Sequence, residues 1–143
     1  MKREIEFRGK TETGEWVYGA YYKQRGFYVD ETDIDCIITT TDVLSNDLGL
    51  DYEEVIPETV GQYVGVKDIN KKKIYEYDRV KCKGVETLGT VLFDGGGFGI
   101  EFDEPIAEDW TSTALYCLIN EEGFAECEVI GTVFDKESDN ETK

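Results

Sequence analysis

The sequence predicts a small, mainly β protein, and three observations carry that prediction. Aromatic and Gly residues are plentiful, with nine Tyr, seven Phe, two Trp and 15 Gly, while Pro occurs only twice. Such a mixture favours short strands and tight turns over long helices. Apolar and polar residues alternate cleanly at 79–83 and 98–102, the period-2 signature of strands with one face buried. Finally, "DGGG" at 94–97 supplies the positive-φ residues that a hairpin turn requires. The expected architecture is a small antiparallel barrel or sandwich with an SH3-like C-terminal half and at most one or two short helices. The 143 residues are expected to divide into an N-terminal β subdomain (1–56), a C-terminal SH3-like subdomain (57–135) and a frayed polar tail (136–143), held as one unit.

Taken in order, residues 4–7 and 15–23 read as strands, and "GFYVD" (26–30) follows a turn near Gln24–Gly26. "IDCIITT" (34–40) is rich in β-branched residues and reads as the next strand. In 41–55, Asp42 offers a helix cap, but Gly49 and the Asn46–Asp47 pair favour a turn or a broken helix. "PET" (57–59) reads as a loop and 60–66 as a strand. Along 79–83, Val80 and Cys82 are expected inside, with Arg79, Lys81 and Lys83 facing water. A nearly all-apolar strand (88–93) runs into the Gly turn. The strand after it turns Phe98, Ile100 and Phe102 inward. "ALYCLI" (114–119) and "EVIGTVF" (128–134) complete the predicted set.

Charge is distributed in blocks. The chain has formal net charge −17, yet residues 67–83 hold seven bases against three acids. On either side, 26–66 carries ten acids and no base, and 84–135 carries twelve acids and no base. The residues singled out for interaction are Lys67, Lys71, Lys72, Lys73, Arg79, Lys81 and Lys83, with Tyr75 and Tyr77 as aromatic surfaces among them. Cations beside aromatics also suit nucleic acid, but so acidic a body repels it at long range. A basic patch on an acidic body instead complements that body, within the fold or on a second copy.

Other chemistry finds little support. Histidine is absent, which removes Ser-His-Asp and Cys-His catalysis and the commonest transition-metal ligand. Cys36, Cys82, Cys117 and Cys127 form no CxxC pair, so zinc-ribbon and thioredoxin spacing are lacking. Four reduced, mostly buried thiols are expected, with a disulfide pair the less favoured reading. Asp30, Glu31, Asp33 and Asp35 offer oxygen ligands without EF-hand spacing. The acids of "DEPIAEDW" (103–110), namely Asp103, Glu104, Glu108 and Asp109, read as a solvated edge rather than a glycosidase pair. Trp16 and Trp110 read as core anchors before a stacking platform. The Gly turn lacks the strand–loop–helix context of a phosphate loop. No apolar h-region follows the N-terminal charges and no run reaches membrane-spanning length, so a cytoplasmic protein is expected.

"EIEFRGK" (4–10), "GEWVYG" (14–19), "PETVGQYVGVKDINKKKIYEYDRV" (57–80) and "EVIGTVFD" (128–135), in this order and spacing, resemble the YopX-like proteins of bacteriophages and prophages. The resemblance spans nearly the whole chain. It implies phage or prophage origin and a mainly β fold, and supplies no catalytic residue. Where the family usually carries Gly, this chain has Lys71 after Asn70 and Tyr77 before Asp78. The first departure removes the Asn-Gly hairpin signal, although Asn70 can itself adopt a left-handed conformation; the second puts a bulky side chain in a turn that normally has none. The function expected is a non-enzymatic interaction protein without cofactor or metal, self-associating as a dimer or higher oligomer and able to bind a host or phage protein. The alternatives are an acidic nucleic-acid mimic that inhibits a DNA-binding protein and, third, a carboxylate-based enzyme.

Overall fold

The computed structural model describes residues 4–24, 34–38 and 52–135. The predicted strand at 26–30, the end of 34–40, most of the 41–55 segment and the tail lie outside the described residues. So do Asp30, Glu31 and Asp33. The chain is mainly β and forms two compact units, Met1–Tyr63 and Val64–Lys143. Their boundary falls inside a strand, β5 (Gly61–Lys67), rather than at the predicted 56/57 break.

In the first unit, β1 (Phe7–Lys10), β2 (Trp16–Gln24), β3 (Ile34–Ile38) and β4 (Tyr52–Glu54) pair in the order β4-β3-β2-β1. The start of β5 adds antiparallel to β1, with Gln62 opposite Phe7. The first strand thus begins at Phe7, where the predicted 4–7 segment ends. The β1–β2 turn closes on Thr11, whose amide donates to Glu15 O at 2.9 Å. Cys36, Ile37, Val55 and Tyr63 are buried. A Cβ at Gly9 would stand 2.9 Å from Val55 Cβ, so a side chain there would displace the Val. Asp35, also buried, accepts the Tyr21 hydroxyl at 2.9 Å. "PET" forms a single 3-10 turn, Pro57–Thr59.

In the second unit, β6 (Lys73–Tyr75) folds back on the end of β5. A five-stranded sheet follows, built from β7 (Asp78–Cys82), β8 (Leu88–Asp94), β9 (Gly97–Phe102), β10 (Ser112–Ala114) and β11 (Cys127–Thr132). Its order is β10-β9-β8-β7-β11, and β7, β8 and β9 are consecutive antiparallel neighbours as predicted. Val80, Cys82, Ile100 and Phe102 are buried, and Phe98 is half-buried against the same core. Gly95 and Gly96 take φ of 63° and 87°, which the β8–β9 hairpin needs at both central positions.

Two expectations are corrected here. The SH3-like barrel does not close: the architecture is two open antiparallel sheets, with β10 and β11 left at the edges of the second. Closure needs pairing between the first and last strands, and β10 is only three residues long. The predicted strand at 114–119 is instead a 3-10 turn, Leu115–Leu118. Leu115 is its buried side chain, while Tyr116 is 76% exposed.

Candidate functional site

The basic stretch builds two turns, and each is organised by a buried carboxylate. Asp68 and Asp78 are both 1% exposed. Asp68 Oδ1 accepts the amides of Asn70 at 2.8 Å and Lys72 at 2.9 Å, and its Oδ2 accepts that of Val129 at 2.9 Å. Burying a carboxylate is costly unless it is hydrogen-bonded, and three N–H donors meet that need here. Asp78 does the same at the next turn, where its Oδ2 accepts the Tyr75 amide at 2.8 Å. Sequence reading missed both roles. For Asp68 the available signal was the Asx pattern, an Asp whose side chain reaches a backbone N–H two residues on; Asp78 instead reaches back three residues to Tyr75.

The first turn also covers the outer edge of β11. Ile69 donates its amide to Cys127 O at 3.1 Å, and Ala125 donates to Lys67 O at 2.9 Å. Lys71, not Asn70, takes the left-handed position, with φ 69°. Asn70 instead points its Nδ2 toward Glu128 Oε2 at 3.4 Å. Tyr77 is the second non-Gly residue with clearly left-handed φ, at 75°. Both fall where the resemblance puts Gly. Tyr77 is held by a half-buried ring, 5.4 Å from that of Phe134 and edge-on to it.

The nine predicted interaction residues do not share one free surface. Arg79 makes a two-pronged contact with Asp103, at 2.8 and 2.5 Å, and donates to Thr90 Oγ1 at 2.8 Å. The hydrogen bonds hold the Asp103 carboxyl below its ordinary range and raise the Arg79 guanidinium further. Lys83 pairs with Glu126 at 3.6 Å, and Lys81 donates to the Val85 carbonyl. Tyr75 is 4% exposed and offers no face to a partner. Lys73 and Tyr77 are half-buried. What remains is a tip. Lys67, Lys71 and Lys72 are exposed and make no ion pair among the described residues. Ile69, 46% exposed, stands among them, and sequence reading did not single it out.

The acids of 103–110 lie where a solvated edge was expected: Glu104, Glu108 and Asp109 are exposed. Trp110, read as a core anchor, is instead 56% exposed. Trp16 carries the Arg8 guanidinium 4.2 Å from its ring centre and the Lys10 ammonium at 5.5 Å, so its faces serve its own unit. Among the described residues no three His, Cys, Asp or Glu side chains converge as a metal site, and no helix is long and apolar enough to cross a membrane. The second unit also holds an open cleft of about 690 Å³, lined by Val64, Ile100, Leu115, Tyr116, Asp94 and Glu101 among others. Nothing in the sequence pattern announced it, because it is walled by the Gly-rich hairpin and the turn that replaced a predicted strand.

No curated protein matches the chain. The YopX protein family matches it over residues 6–138, which takes in both units and the whole basic stretch. The chain belongs to the YopX protein family.

Proposed function

We propose that this is a non-enzymatic interaction protein of phage or prophage origin, which works in the host cytoplasm and associates with a second copy of itself. The observation that carries the reading is the tip of the first basic turn. Lys67, Lys71 and Lys72 are exposed and without ion pairs among the described residues, in a chain of net charge −17. Three cations left free beside so many acids are available to an acidic partner. Their backbone is fixed in advance by the Asp68 hydrogen bonds, so docking orders little more than side chains. Ile69 adds an apolar contact within the cationic rim. The complementary surface on the second copy is the exposed acidic edge of Glu101, Glu104, Glu108 and Asp109. Tip and edge on each copy let a two-fold pairing form both contacts twice. A host or phage protein with a similar acidic edge would fit the same tip.

Charge reversal at the tip tests this. The Lys67→Glu, Lys71→Glu, Lys72→Glu variant is expected to sediment as monomer where the wild type sediments as dimer or higher oligomer. Assembly unchanged by the triple substitution would overturn the reading.

A further inference from the structure

Cys82 on β7 and Cys127 on β11 are directly opposed across an antiparallel pair. Lys83 donates its amide to Glu126 O at 3.1 Å, so the bonded pair is the neighbouring one. The Cys127 carbonyl faces the other way, toward the Ile69 amide at 3.1 Å. Cys82–Cys127 is therefore a non-hydrogen-bonded pair, the class in which opposed Cα atoms stand about 4.5 Å apart. A disulfide spans roughly 4.4–6.8 Å between Cα atoms, so a pair of this class lies within its reach. Both side chains are buried, at 1% and 2% exposure, and both are free thiols. Each thiol is the other's hydrogen-bond partner.

We propose that Cys82 and Cys127 form a redox modification site, oxidised by hydrogen peroxide to an internal disulfide that staples β11 to β7. The strand that must open to admit the oxidant is suited to it. β11 is an edge strand, and its pairing with β7 shifts register between Val129 and Gly131. Edge segments of this kind belong to the low-stability end of a fold and open locally. Cys82, flanked by the cationic Lys81 and Lys83, is the attacking sulfur. As thiolate it attacks one peroxide oxygen. The O–O bond breaks, Cys82 becomes a sulfenic acid, and the departing oxygen takes up the proton Cys82 released, leaving as water. The Cys127 sulfur then attacks the Cys82 sulfur. The S–O bond breaks, the disulfide forms, and hydroxide leaves as a second water with the Cys127 proton. Two thiols lose two electrons and one peroxide gains them.

The test uses the full chain carrying Cys117→Ser, which removes the exposed thiol and with it links between molecules. Folded protein is treated with hydrogen peroxide, denatured, alkylated and peptide-mapped. The expected product is a monomer lighter by two hydrogens, with a linked Cys82–Cys127 peptide and Cys36 still free. Its thermal midpoint should rise on oxidation and return with a dithiol reductant, with no such shift when Cys82→Ser is added. Three thiols still alkylated, sulfinic acid at Cys82, or linkage to Cys36 would overturn the proposal. So would an equal yield of the same linked peptide from protein oxidised in denaturant, because the selectivity is assigned to the fold. The site stands or falls independently of what the lysine tip binds.

Discussion

Val129 donates its amide to Asp68 Oδ2 at 2.9 Å, a hydrogen bond that joins residues 61 apart in sequence. It ties the centre of a basic turn to the edge strand of the second unit's sheet. An edge strand is a row of unpaired backbone groups open to wrong partners. Here the turn meets part of that row with a carboxylate oxygen at Val129 and an amide, that of Ile69, at Cys127. The stretch that looks in sequence like a cation cluster is therefore first a brace, and only its tip is left for a partner.

Removing the brace should be costly. Asp68→Ala strands three amides, those of Asn70, Lys72 and Val129, of which the last is buried. A loss of about 3 kcal/mol is expected, the scale for charged hydrogen bonds together with unmet buried donors. Asp68→Asn keeps one acceptor oxygen but turns an NH₂ toward a donor, and about half that loss is expected. Urea unfolding with unchanged slope and lowered midpoints checks both.

The two left-handed residues should answer differently to glycine. At Lys71 the side chain is exposed and without an ion pair among the described residues, so Lys71→Gly relieves the φ 69° conformation at little expense. A gain of about 0.5–1 kcal/mol is expected. Tyr77→Gly relieves similar strain but gives up the half-buried ring and its edge contact with Phe134. That loss is about 2 kcal/mol against a relief of about 1, so the variant should be less stable than the wild type. Thermal unfolding of the two single variants gives the signs directly.

Acid should remove a small stabilisation that resides in the Arg79–Asp103 pair. The Asp103 carboxyl is held below its ordinary value, chiefly by the hydrogen bond from Arg79. A group with a depressed folded pKa adds stability above its unfolded pKa, about 3.9 for Asp, and loses it as pH falls through the lower folded value. With the Asp103 side chain 46% exposed, solvent screening limits the contribution to under about 1 kcal/mol. Asp103→Asn should leave a shallower decline in stability below about pH 4, seen as a smaller gap between its urea midpoints at neutral and acid pH than the wild type shows.

Much of the second unit was legible in the sequence. The alternation at Val80 and Cys82, the apolar run at 88–93 and the Gly turn fix β7, β8 and β9, since one-residue slips would turn Ile100 and Phe102 to solvent. The open sheet was not legible, because barrel closure depends on which strands meet at the ends and local pattern is silent on that. β6 and β10 were missed for a simpler reason: three residues each are too few to show a period. At 114–119 the apolar run read as a strand, but Tyr116 and Ile119 are exposed and the chain turns in a 3-10 conformation. A short apolar run does not distinguish the two. For the candidate site, the sequence shows where the cations fall along the chain but not which of them are free. Which were already spent depended on Asp103, Glu126 and the Val85 carbonyl, and no spacing rule joins Arg79 to Asp103 across 24 residues.

Self-association through the lysine tip is tested most directly by sedimentation of the wild-type chain at high micromolar concentration, at low and at moderate salt. The contact proposed is between exposed charges, which salt screens over about a Debye length. Dimer or higher oligomer at low salt, moving toward monomer as salt rises, is the predicted result. A monomer in both salts would contradict it.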